Sequence, residues 1–104
     1  MVATAMSPVL ATRNRTVVCL DGEHDIATLP FLTDTLAKAI SADDTDLVVD
    51  LSRVTFLSAA TIDELVRGRN TLRHQSRDLT LRSPSRCASR LLDVCGLTDL
   101  VETS

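Results

Sequence analysis

The sequence predicts a single α/β domain, a mixed, mostly parallel sheet of four to five strands with helices packed on it. Three observations carry this. Short β-branched apolar runs alternate with stretches whose apolar residues recur at helical spacing. Turn and capping signals fall between them. The length, 104 residues, suits one domain with one modest core.

The elements follow in order. Residues 1–8 (MVATAMSP) read as a loose N-terminal segment, and 9–104 as the domain. Val9 to Thr12 is a short first strand. Arg13-Asn14-Arg15 is a polar hairpin turn, because Asn14 tolerates positive φ. Thr16 to Leu20 (TVVCL) is a central strand ending before Asp21-Gly22. Thr28 is expected to cap a helix carrying Pro30 in its first turn, with Leu29, Leu32, Leu36, Ala39 and Ile40 on one face. After the polar loop Ser41 to Asp46, Leu47 to Leu51 (LVVDL) is a second buried strand. A helix patterned by Ile62, Leu65, Val66 and Leu72 starts near Ser58 and runs to about His74. Leu79 to Arg82 is a further short strand. Ser83 and Pro84 signal a last helix with Ala88, Leu91, Leu92 and Cys95 on one face, and Gly96 supplies the positive φ of a helix C-terminus. Two strand–helix–strand units imply parallel pairs with right-handed crossovers, and the opening hairpin adds an antiparallel edge. Binding in such sheets occurs at the carboxyl ends of the strands, here Asp21 to Ala27, Thr55 to Thr61, and Ser83 with Ser85.

Composition excludes several classes. Phe31 and Phe56 are the only aromatic residues, so stacking platforms for single-stranded nucleic acid are absent. Eleven basic against fourteen acidic residues give a net charge of −3, which argues against a general nucleic-acid binder. The charge is uneven, with three bases and eight acids in residues 1–52 and eight bases and six acids in 53–104. No apolar run has the length of a membrane span, and the first ten residues lack the pattern of a signal peptide. A cytoplasmic protein without membrane contact is expected. Three cysteines without a Cys-x-x-Cys do not form a disulfide scaffold.

Catalysis finds little support. Glu23-His24-Asp25 does not read as a metal site, since neighbours in an extended segment point to opposite faces. Ser58, His24 and Asp25 supply the residue types of a nucleophilic triad, but no Gly-x-Ser-x-Gly elbow accompanies them. The glycines, Gly22, Gly68 and Gly96, make no phosphate loop. No cofactor, metal or enzymatic activity is expected. Cys19 and Cys95 read as small core residues. Cys87 falls in the first turns of the last helix beside Arg86 and Arg90, where helix end and cations both favour a thiolate, so it is the candidate redox thiol. Cys87 and Cys95 lie too far apart on one helix to pair.

The most informative segment is LVVDLSRVTFLSAATIDEL, Leu47 to Leu65. A buried strand leads into a helix capped by Ser58, with Thr61 and Glu64 offering an alternative capping box. Small side chains at Ser58, Ala59, Ala60 and Thr61 then surround a helix N-terminus, where a partner's backbone can approach and an anion is attracted. An ordinary strand-to-helix junction would read the same way.

Three ordered segments resemble the STAS domain family, in particular the anti-sigma factor antagonists. DGEHDIATLP (Asp21 to Pro30) is similar to the family's Gly-Glu-x-Asp-x-Ala-Thr stretch, LVVDLSRVTFL to its Asp-Leu-Ser-x-Val-x-Phe segment, and LLDVCGLTDLV to its Leu-x-x-x-Gly-Leu closure. The resemblance implies a STAS-like fold over nearly the whole chain and a regulatory role, binding a kinase-type anti-sigma factor to free a sigma factor. Antagonists of the family are switched at a phosphorylatable serine in Asp-Ser-Ser-Gly or Asp-Ser-Thr-Gly, after Phe-Ile or Phe-Met. Aligned here, Ser58 replaces the Asp, Ala60 occupies the acceptor position and has no hydroxyl, and Thr61 replaces the Gly. The resemblance thus implies a protein not switched in the usual way, with Ser58 or Thr61 as alternative phosphosites. Asp63 and Glu64 bring negative charge near the site, which could weaken binding as a phosphoryl group would, or simply suit the helix dipole. The implied partner surface is His24, Asp25, Ser58, Ala59, Ala60, Thr61, Asp63, Glu64 and Arg67. Other STAS proteins are further candidate partners. The rival readings are a nucleotide or anion site at the same helix end and a scaffold module in a sensory assembly.

Overall fold

Parallel pairing of Arg15–His24 (β1) with Asp46–Leu57 (β2) organises the chain, and Leu79–Arg82 (β3) pairs parallel on the other side of β2. The computed structural model describes residues 15–42 and 44–101. Their sheet has three strands in the order β1-β2-β3, fewer than the expected four to five. The expected strand Val9 to Thr12 and its hairpin turn lie outside the described residues, except Arg15, which already belongs to β1. A parallel bridge from Leu81 to Val101 adds one further pairing. Between the strands run Leu29–Ala42 (α1) and Ala59–Arg73 (α2), and Arg86–Val94 (α3) follows β3.

One face of the sheet and all three helices share one core. Val18, Leu20, Val49, Leu51 and Leu81 meet Leu32, Leu36 and Ala39 of α1, Ile62, Leu65 and Leu72 of α2, and Ala88 and Leu92 of α3. The helical spacing read from the sequence thus falls inward, as a 3.6-residue period requires. Val17 and Val48 are buried but outside this cluster, consistent with the alternation of a strand.

The strands run further than their apolar runs. β1 continues past the expected end at Leu20 to His24, and β2 continues from Leu51 to Leu57. Pairing with the neighbour sustains both: after register shifts at Cys19/Asp21 and Gly22/Glu23, Glu23 still faces Phe56 and His24 faces Leu57. Gly22 makes this possible with a φ of +80° inside the strand, a conformation that costs a side chain about 1–2 kcal/mol. The bulges explain the difference, because Asp21-Gly22 has the composition of a turn.

Helix starts differ in detail from expectation. Thr28 does not cap α1. Asp25 caps the 3-10 turn Ile26–Thr28 by accepting from the Ala27 and Thr28 amides, and Thr28 reciprocates by accepting from the Asp25 amide. Ser58 caps α2 as expected. At α3 the cap is Ser85, one residue past Pro84. Gly96 has the expected positive φ, 72°.

Two cysteines fall outside their expected places. Cys95 is exposed, because α3 ends at Val94 and leaves it beyond the last packed turn. Cys19 is only half-buried; burial, reinforced by the carboxylate of Asp50 opposite it in β2, pushes its thiol pKa up.

Two outcomes are expected. Gly22→Ala should lower the unfolding free energy by about 1–2 kcal/mol in urea titration, with no steric contribution, because a Cβ there meets nothing within 4 Å. Because burial raises its folded pKa, Cys19 should alkylate more slowly in the folded protein than in the urea-unfolded chain by mass-spectrometric mapping, and the stability tied to that difference is present below the unfolded thiol pKa and lost as pH rises through the folded one.

Candidate interaction site

The carboxyl ends of β1 and β2 meet the start of α2 at a corner built on one carbonyl. The His24 oxygen accepts from the Ser58 amide at 2.9 Å and from the Thr61 hydroxyl at 3.0 Å. Ser58 Oγ accepts the Thr61 amide at 3.2 Å and lies 3.0 Å from Thr61 Oγ1. Since the Thr61 proton is given to His24, Ser58 is the donor in that last contact. Each hydroxyl here thereby both donates and accepts.

His24 is the hinge of this corner and is buried, 5% exposed. Its Nε2 lies 3.0 Å from the Asp21 carbonyl, an acceptor only, so Nε2 carries the proton. Nδ1 is buried without a hydrogen-bond partner. Glu23 points outward while His24 points in, the alternation that separates the Glu23-His24-Asp25 side chains. Among the described residues no group of three or more His, Cys, Asp or Glu is placed to hold a metal ion. None of their helices is long and apolar enough to cross a membrane.

The corner brings together part of the expected set. Asp25 is half-buried and spends its carboxylate on the 3-10 turn. Ala59 is exposed and Ala60 half-exposed in the first turn of α2. Thr61 is 1% exposed and fully hydrogen-bonded, and the Ser58 hydroxyl is committed to the cap. Asp63 and Glu64 lie in the second turn, since the first turn of α2 carries no acidic residue, so the helix end does not explain them. Glu64 and Arg67 face α1, lining a surface groove with Thr33 and Ala37. Cys87 sits elsewhere, at the start of α3, with Sγ 3.5 Å from the Val54 carbonyl and 3.5 Å from Ser85 Oγ.

Pattern reading missed the exposed apolar residues beside this corner. Ile26 follows Asp25, and Phe56 leaves β2 two residues before Ser58; they are 71% and 49% exposed. The signal for Phe56 was available: it alternates with the inward Leu57 and so had to face out once β2 extended past Leu51.

A family model described as Mlab, STAS domain matches residues 9–102. The structure of the anti-sigma factor antagonist SpoIIAA in its unphosphorylated form superposes with a TM-score of 0.79 at 18% identity, covering 96% of this chain and 88% of that one. The structure of the Bacillus cell fate determinant SpoIIAA in the phosphorylated form gives a TM-score of 0.71 at 19% identity, covering 96% and 91%. At these identities the likeness is one of fold. No curated protein matches the chain in sequence.

Ser58→Ala should cost about 1 kcal/mol, the worth of a helix cap, and Thr61→Val about as much through its lost hydrogen bond. Because the two hydroxyls also bond each other at 3.0 Å, the double variant should depart measurably from additivity in urea denaturation; additive losses would show that the corner does not act as a unit.

Proposed function

The chain belongs to the STAS domain family, and on that premise we propose that it is a regulatory protein-binding domain of the anti-sigma factor antagonist kind, acting by contact rather than catalysis. The fold shared with SpoIIAA supports this reading. The observation that carries it is the exposed, small-residue first turn of α2, Ala59 and Ala60, held on the His24 carbonyl. Small side chains let a partner's backbone approach a helix N-terminus that carries partial positive charge. Asp25, Ser58, Ala59, Ala60, Asp63, Glu64 and Arg67 form the contact surface, and the buried His24 and Thr61 hold it in shape. The partner is a kinase-type anti-sigma factor, and the compartment is the cytoplasm.

This reading includes the absence of a phosphorylation switch. Ala60 offers no hydroxyl, Thr61 is buried, and Ser58 is engaged in capping. A phosphoryl group on Thr61 would break its bond to the His24 carbonyl, which ties α2 to β1, and one on Ser58 would disturb the cap of α2.

Calorimetric titration of the protein into each kinase-type anti-sigma factor of the source genome, with and without ATP pre-incubation, is the test. One-to-one binding unaffected by ATP is expected, with no added phosphoryl mass. Ala60→Ser should gain that mass and lose affinity after ATP treatment, and Ala60→Arg should weaken binding roughly tenfold or more. Binding to none of these proteins, together with a nucleotide that raises the melting temperature of the domain alone, would overturn the reading in favour of a ligand site.

A further inference from the structure

A second surface lies beside the α2 corner. Where β2 ends, its outer side and α3 enclose an open groove of about 480 Å³, lined almost wholly by apolar atoms. Phe56, Cys87, Leu91 and Val94 form its walls, and Arg86 and Arg90 are its ionisable cations. Phe56 is 49% exposed and Val94 79%, so the walls stand in solvent. Apolar side chains presented together in a concave surface mark an interaction site more often than the same residues scattered singly.

The charge of the groove specifies its occupant. Among the described residues no carboxylate lines it; Glu23, opposite Phe56 in register, lies outside the lining. Neither Arg86 nor Arg90 makes an ion pair with the described residues, whereas Arg69 and Arg73 are paired with Asp99 and Asp78. Two unpaired guanidinium groups one helical turn apart, beside an apolar trough, match a segment that offers carboxylates next to an apolar side chain. Arginine beside exposed apolar walls is also the composition of interface hot spots.

We propose that the β2–α3 groove docks an acidic, amphipathic peptide segment of a partner protein, its apolar side chain against Phe56 and Val94 and its carboxylates on Arg86 and Arg90. The groove is open to solvent, which leaves it accessible to a peptide segment. This surface is distinct from the small-residue turn of α2 and does not depend on the partner proposed for that turn.

The test is selection of a display library of short random peptides on the full chain, with the Arg86→Glu/Arg90→Glu variant as counter-target and its fold checked by circular dichroism. The enriched peptides should combine Asp or Glu with large apolar residues. A synthesised representative should protect Cys87, but not the exposed Cys95, from alkylation. Its affinity should fall roughly tenfold or more in the double variant and should weaken with salt. Val94→Asp, exposed and so tolerated by the fold, should weaken it as well. Ala60→Arg should leave it unchanged, which separates failure here from failure of the α2 reading. Enriched peptides without acidic residues, binding that ignores both substitutions, or no enrichment at all would overturn the proposal. So would decanoate, a lone carboxylate on an acyl chain, protecting Cys87 where the peptides do not.

Discussion

The arrangement depends on a single backbone oxygen. The His24 carbonyl ends β1 and receives both the first amide after β2 and the Thr61 hydroxyl of α2. Those bonds fix the start of α2 against the end of β1, beyond the strand pairing that already joins β1 to β2. With them, the register of β1 on β2 determines where α2 begins. The register in turn rests on the bulges around Gly22, which let β1 stay paired until His24 lies level with Leu57. The position of Ala59 and Ala60 on the surface is therefore set by a chain of backbone constraints, and their own side chains contribute little to it.

Core composition explains why apolar residues are left for the surface. Leu, Val, Ile and Ala fill the space between three strands and three helices. Both aromatic residues stay outside, Phe31 on α1 and Phe56 at the end of β2. Among the described residues aliphatic chains alone make up this core, which in a domain of this size is small. Phe31 alone is ordinary surface exposure. Phe56 differs because Leu91 and Val94 stand across from it.

Much of this architecture was legible in the sequence, and the exceptions share causes. Helical periodicity placed Leu32, Leu36, Leu65 and Leu92 correctly in the core, because burial of an apolar stripe is what the period encodes. Ser58 as a cap was legible from its side-chain oxygen and from the helical pattern that begins after it. The extension of β1 was not, because Asp21-Gly22-Glu23 has loop composition and is held in the strand by pairing that no local pattern reports. Cys95 misled for the complementary reason. It has the right spacing, but the helix stops one residue before it. At the site, the residue types of the corner were readable while the division of labour was not. Whether His24 and Thr61 face a partner or the interior depends on one long-range hydrogen bond between residues 37 positions apart.

That division bears on how the domain would be regulated in its proposed role. A corner in which the hydroxyls of Ser58 and Thr61 are already engaged resists rearrangement, so a partner meets a preformed surface and loses little to ordering it. Control of such a contact has to come from a change of charge at its exposed positions rather than from a change of shape. In the first turn of α2 those positions are Ala59 and Ala60, which carry no group to modify. In the proposed role, that turn would contribute a constant surface to the contact. Regulation would then pass to the partner and to the amount of domain present, which by mass action sets how much of that partner is occupied.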